Sequence, residues 1–169
     1  MRAVLSIGSN LGDRLALLRS VVDGLAGDLL AASPVYETAP WGGVEQGPFL
    51  NAVVIADAPA LDGYGWLHRA REFERSAERV RDERWGPRTL DVDIVSCRDG
   101  EREVISTDPE LMLPHPRAHQ RAFVLVPWLA VEPDATLTVD GEPRRVADVL
   151  AALDRTERDG VRRTDLVLS

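Results

Sequence analysis

The order of its apolar patterns limits this chain to few folds. Residues 2–7 (RAVLSI), 29–38 (LLAASPVYET), 49–57 (FLNAVVIAD) and 89–97 (TLDVDIVSC) are short apolar runs of strand length. Between the first two, Leu15, Leu18, Val22 and Leu25 recur at helical spacing. Between the last two, Leu61, Tyr64, Leu67, Ala70, Phe73 and Ala77 do the same. The sequence therefore predicts β, α, β, β, α, β. That order is the split βαβ arrangement of an α+β, ferredoxin-like sandwich, with two helices over one face of an antiparallel sheet. Asn10 or Asp13 is placed to cap the first helix. Pro34 should bend the second strand or hold it to an edge. Residues 39–48 (APWGGVEQGP) and 79–88 have no period of either kind and read as loops. Further helical pieces are expected near Phe123–Val131 and Val146–Leu153, after a turn region LPHPRAHQR at 113–121. One domain spanning 1–169 is expected, with residues after about 155 forming a polar tail that can fray.

Composition removes several classes of function. The chain carries 28 acidic and 20 basic residues, a net charge of −8, which argues against a general nucleic-acid binder. No apolar run is long enough to span a bilayer. The N-terminal MRAVLSIGSN reads as a strand rather than a signal peptide, so a cytoplasmic location is expected. Cys97 is the single cysteine, which excludes a disulfide framework and a cysteine-based zinc site. All 20 basic residues are arginine. Absent lysine, P-loop, protein-kinase and Schiff-base chemistries are also excluded.

Seven arginines fall between Arg69 and Arg88, directly ahead of the strand that holds Asp91 and Asp93. In a strand these two aspartates share a face, about 6–7 Å apart, while Leu90, Val92 and Ile94 share the other. Two carboxylates at that spacing repel unless a cation lies between them. Hard oxygen ligands suit Mg²⁺, and two ions about 3.5–4 Å apart fit the same pair. Alone, the pattern also suits a solvated acidic face or charges set against edge pairing. An arginine-rich loop beside two carboxylates is what phosphate chemistry requires, because guanidinium forks bind phosphoryl oxygens bidentately. Arg69 and Arg75 fit ordinary helix-surface pairing with Glu72, Glu74 or Glu78, whereas Arg88 has no such helical partner.

RWGPRTLDVDIV at 84–95 resembles the signature of the 6-hydroxymethyl-7,8-dihydropterin pyrophosphokinases of folate synthesis. GSNLGDR near the N-terminus, Tyr36-x-Thr38-x-Pro40, FLNAV at 49–53 and LPHPRAHQRAFVLVP at 113–127 match that family in the same order. The resemblance implies transfer of diphosphate from ATP to the hydroxymethyl group of the reduced pterin, with release of AMP. It implies that Asp91 and Asp93 hold two Mg²⁺ ions and that Arg79 and Arg88 meet the triphosphate. Glu74, His115 and Arg121 would lie near ATP. Arg81 and Trp85 would belong to a mobile loop, with Trp85 closing over the substrates. Thr38, Ala39 and Trp41 would line the pterin slot, Asn51 would bond the pteridine edge, and Phe49 and Phe123 would stack on the ring. ATP and the pterin are the implied partners, with no nucleic acid or membrane, and a monomer is expected.

This chain departs from the pattern at several positions. Ala39 stands where many members have Pro, and Phe49 where some have Tyr. Glu110 and Met112 replace an Arg and a Thr of some members, so one ATP contact is either absent or supplied by Arg117. Two other readings compete. One is a different metal-dependent transferase that uses Asp-x-Asp to hold a nucleotide diphosphate; it leaves Thr38, Phe49, Asn51 and Phe123 unexplained. The other is a ferredoxin-like RNA or regulatory module, which would need a basic face with exposed aromatics where this chain puts two aspartates.

Overall fold

The computed structural model describes residues 1–39, 47–80 and 89–169, with the side chains of Arg79 and Val80 outside that description. Most of both expected loops therefore lies outside the described residues. The main elements are β1 (Arg2–Ser9), α1 (Arg14–Leu25), β2 (Leu29–Ala32), β3 (Tyr36–Thr38), β4 (Phe49–Asp57), α2 (Gly63–Val80) and β5 (Asp91–Asp99). Short ribbons follow: β6 (Arg102–Glu103), β7 (Ser106–Asp108) and β8 (Leu111–Leu113). Then come α3 (Ala122–Val131), β9 (Thr136–Val139), β10 (Glu142–Arg145), α4 (Val146–Ala151), α5 (Arg155–Asp159) and β11 (Val161–Arg163).

The main sheet runs β11-β3-β4-β1-β5-β6, and β2 also pairs with β4. β1 lies at its centre, antiparallel to both β4 and β5. With α1 and α2 between strands in the predicted order, this is the ferredoxin-like arrangement. Burial fits the centre: Ala3 through Ser9 are all buried, because β1 is flanked by strands on both sides and packs into a core on each face.

Each face has its own core. On one, Leu5, Ile7, Leu50, Ala52, Val54, Leu90, Val92 and Ile94 pack with Leu18, Val21 and Leu25 of α1 and Trp66, Ala70 and Ala77 of α2. Leu90, Val92 and Ile94 thus turn as a group toward α1 and α2, as their alternation predicts. On the other face, Val4, Val53, Ile55 and Val95 pack with Val124, Leu125 and Trp128 of α3 and Val146 and Val149 of α4. Among the described residues, Trp66 and Trp128 are the largest fully buried side chains, one on each face, and truncating either to Ala would cost about 3–5 kcal/mol.

Local irregularities have identifiable causes. Asp13, not Asn10, caps α1: its Oδ1 accepts the Ala16 N–H at 3.1 Å. The expected single strand 29–38 is broken into β2 and β3. From Ala32 to Tyr36 the chain advances four residues while its partner β4 advances three, from Val54 to Asn51. Ser33 fills the break, its N–H donating to the Val53 carbonyl and its Oγ accepting the Val53 N–H, both at 2.9 Å. A second irregularity lies in β5. Leu5 pairs with Ile94 and Val4 with Ser96, so Val95 is an extra residue. That bulge carries Cys97 onto the α1/α2 face, where it is fully buried. Arg69 also differs from expectation. It pairs with Asp28 at 2.8 Å, after α1, while Arg75 does pair with Glu72 at 2.9 Å.

The largest departure is the C-terminal segment, expected to fray. It forms α5, then β11, whose Val161, Arg162 and Arg163 pair with Thr38, Glu37 and Tyr36. Thr164 adds backbone and side-chain bonds to the Val35 carbonyl, and Leu168 is buried in the α1/α2 core. Without β11, β3 would be an open edge. Among the described residues, no helix is long and apolar enough to cross a membrane.

Candidate active site

Period-2 alternation across four paired strands builds the floor of one cleft. Residues directly opposite in an antiparallel pair point to the same side. Gly8 is opposite both Asn51 and Asp91, and Ser6 is opposite both Val53 and Asp93. Thr38 is opposite Phe49. Ser6, Gly8, Thr38, Phe49, Asn51, Asp91 and Asp93 therefore share the face that α3 covers only in part. Along β1 that face runs Val4, Ser6, Gly8, so the side chains shrink toward the strand's end and space opens above them. The resulting cleft holds about 920 Å³ and is completed by Ala39, Arg117, Gln120, Arg121, Phe123 and Glu157.

The polar end of the floor is fixed by one buried pair. Asn51 Nδ2 donates to Thr38 Oγ1 at 2.9 Å, and both residues are buried. Gly8 is required beside them: a Cβ there would lie 2.7 Å from Asn51 Oδ1. A buried amide is tolerable because it is held in this way.

At the other end stand the carboxylates. Asp91 and Asp93 are both half-exposed into the cleft. Arg121, the residue that opens α3, sits with its guanidinium 3.7 Å from the Asp93 carboxylate and 5.5 Å from the centre of the Phe123 ring. Phe123 thus lies under the guanidinium, and both line the cleft. His115 does not line the cleft, but it feels the charges of its members. Burial holds its pKa below the usual 6.5; Asp93 opposes that shift, and Arg121 and Arg117 add to it. Its Nδ1 accepts the Arg117 N–H at 3.1 Å, which leaves Nε2 to carry the proton of the neutral ring.

The structure brings together Thr38, Ala39, Phe49, Asn51, Asp91, Asp93, Arg121 and Phe123 of the residues predicted from sequence. It does not bring Glu74 into the cleft. That side chain, on α2, accepts the Val92 N–H at 3.1 Å and so joins α2 to β5. Glu110 and Met112 are exposed and outside the cleft, whereas Arg117 lines it. Trp41, Arg81, Trp85 and Arg88, and the side chain of Arg79, fall outside the described residues. Ser6, Gly8, Gln120 and Glu157 were not predicted. The signal for Ser6 and Gly8 was their shared parity on β1; Glu157 had none.

Chemically, one end of the cleft offers two carboxylates and a guanidinium. The other offers an amide, a hydroxyl and two phenylalanines. Fold and cleft together define a class: a ferredoxin-like α+β protein whose cleft carries aromatic rings and a buried amide at one end and carboxylates beside a guanidinium at the other. Residues 4–133 match the model of the 7,8-dihydro-6-hydroxymethylpterin-pyrophosphokinase (HPPK) family, and this chain belongs to that family. A 2-amino-4-hydroxy-6-hydroxymethyldihydropteridine pyrophosphokinase of Mycobacterium leprae is 62% identical over 173 residues, covering 99% of this chain and 91% of the relative. The protein of the same name from Mycobacterium tuberculosis H37Rv is 60% identical over 166 residues, 95% of this chain and 88% of the relative. Among solved structures, wild-type Plasmodium falciparum HPPK-DHPS superposes with a TM-score of 0.60 at 13% identity. That match covers 89% of this chain but only 44% of the larger one, and at such identity it speaks to the fold alone.

Proposed function

We infer that this chain transfers diphosphate from ATP to the hydroxymethyl group of 6-hydroxymethyl-7,8-dihydropterin, releasing AMP, as a step of folate biosynthesis. One observation carries the reading beyond family membership: Asn51, Gly8 and Asp91 lie in one row across three adjacent strands. With strands about 4.8 Å apart, the backbones of Asn51 and Asp91 lie about 10 Å from each other across a residue with no side chain. A pteridine edge bonded at Asn51 then extends over Gly8, with its hydroxymethyl arm toward the aspartates.

In the reaction the hydroxymethyl oxygen bonds to the β-phosphorus of ATP and loses its proton. The bond from that phosphorus to the α,β-bridging oxygen breaks, and AMP leaves with the oxygen. Asp91 and Asp93 would hold Mg²⁺. The donor set fits, because two carboxylates with no third His, Cys, Asp or Glu grouped beside them among the described residues leave coordination positions for phosphate and water oxygens. When bound, two Mg²⁺ ions would neutralise and align the phosphates.

The protein's own groups do the rest. Asn51 is pinned by Thr38 and so presents a fixed edge to the pterin. Phe49 and Phe123 supply flat apolar surface for the ring. Arg121 places a guanidinium where phosphate charge would gather, with His115 beside it as an N–H donor. On the same reading Arg79 and Arg88 bind the triphosphate, while Trp41, Arg81 and Trp85 enclose the substrates. A cytoplasmic, monomeric enzyme belongs to this proposal as well.

The test is a nucleotide assay. AMP should form from ATP only when Mg²⁺ and the reduced pterin are both present. ATP consumption indifferent to the pterin would refute the reading and favour another nucleotide-diphosphate transferase.

A further inference from the structure

The match to the family ends at residue 133, yet the chain returns to the cleft well beyond it. Two contacts bring it back. β11 pairs with β3, setting Val161 opposite Thr38, the residue that holds Asn51. One turn earlier, Glu157 lines the cleft, and its Oε1 accepts the Ala122 N–H at 3.3 Å.

Ala122 is the first residue of α3, and the helix has no side-chain cap of its own because Arg121 occupies the capping position. Its amide is one of the donors that a helix start leaves without an internal partner, and Ala122 is fully buried. Glu157 supplies the missing acceptor. The neighbours of that amide are Arg121 and Phe123, the guanidinium and the ring that face the cleft. At its far end α3 is tied to β1 through the ion pair of Arg2 with Glu132, which also accepts the Trp128 indole N–H at 3.1 Å. The near end, where the site lies, has Glu157.

We propose that Glu157 is a positioning residue of the pterin slot, and that residues 155–163 act as a strap joining its two walls, β3 and the start of α3. Removing the acceptor leaves a buried N–H unpaired and loosens the start of α3 against the strap, although the Val124 and Leu125 N–H groups still bond the Arg121 carbonyl. Phe123 then loses its alignment with Asn51 across the cleft. Glutamine keeps a carbonyl oxygen at the same reach, so the role calls for an acceptor rather than a charge. Aspartate keeps the charge and falls short by one methylene.

The proposal rests on the transfer reading above, and wild-type turnover separates the two: if the wild type makes no AMP from ATP and the pterin, that reading fails on its own. The experiment compares E157A, E157Q and E157D with wild type. It measures pterin KM and kcat at saturating ATP, the calorimetric Kd of the pterin with Mg²⁺ and a nonhydrolysable ATP analogue, and thermal melting. The expected result is a rise of about tenfold in pterin KM and Kd for E157A, with kcat changed less than threefold, as an unpaired buried amide implies. E157Q should stay within about twofold of wild type, and E157D should resemble E157A. If E157A does not fold, the contrast between E157Q and E157D decides. Pterin KM unchanged in E157A, or E157Q as impaired as E157D, overturns the proposal.

Discussion

Replacing Gly8 by alanine puts a methyl carbon 2.7 Å from Asn51 Oδ1, where ordinary contact begins near 3.4 Å. The shortfall is about 0.7 Å. Asn51 cannot retreat sideways, since β1 lies on one side of it and β3, with Thr38 Oγ1 at 2.9 Å, on the other. The amide has to rotate, and a shift of that size takes it out of hydrogen-bonding range of Thr38. A buried amide without its partner costs about 1–3 kcal/mol. The same loss of a fixed edge should weaken pterin binding roughly tenfold to a hundredfold, at about 1.4 kcal/mol per factor of ten. Stability should fall by less. Gly8 is not in left-handed backbone, so alanine recovers about 0.5–1 kcal/mol of backbone entropy. The net change should lower the melting temperature by about 2–6 °C. The assay is calorimetric pterin affinity, with Mg²⁺ and a nonhydrolysable ATP analogue, beside a melting curve. If G8A binds the pterin within twofold of wild type while melting as a folded protein, Asn51 does not recognise the pterin and the account of the slot is wrong.

Three more outcomes are expected. D91N and D93N should each lower turnover roughly a hundredfold or more, with melting within about 2 °C of wild type, because both carboxylates face the cleft rather than either core; near-normal rates at saturating Mg²⁺ would remove them from the phosphate site. F49A should raise pterin KM about tenfold and leave ATP KM within twofold, as loss of one stacking surface predicts, and steady-state kinetics with each substrate varied will separate the two. Cys97 is buried and its thiol pushed up to about 11, so a disulfide reagent at about pH 8 should label the native protein only as fast as it opens. The folded state holds that proton more tightly than the unfolded one. The stability it contributes is therefore complete below 9.0, the ordinary value for the thiol, and is lost as pH rises toward about 11. C97A should flatten that part of the stability profile.

What could be read from the chain beforehand follows from how local each signal is. Asp91 and Asp93 were legible because alternation in a single strand decides which face they share. Phe49, Asn51 and Thr38 came from a family resemblance, and their residue types suit a flat ring with a polar edge. The contact between Gly8 and Asn51 was not legible, because it depends on the register between two strands more than 40 residues apart. The bulge at Val95 also arises only in pairing, and it reversed the face of Cys97. Arg69 shows the limit of helical spacing as a guide: Glu72 lies three residues on, but Asp28 is brought closer by the packing of α2 against the end of α1. Glu157 was hidden for the opposite reason. Its helix is five residues long and polar, and such a segment has no periodicity that separates it from a fraying tail. Its order comes from β3, whose free edge β11 covers.

The most direct test of the central claim is the fate of the β-phosphorus. ATP labelled there is mixed with the protein, Mg²⁺ and 6-hydroxymethyl-7,8-dihydropterin in a single turnover, and nucleotide and pterin are separated. With diphosphate transfer the label moves to the pterin in step with unlabelled AMP. Label remaining in nucleotide as ADP, beside a pterin carrying one phosphate, would contradict it.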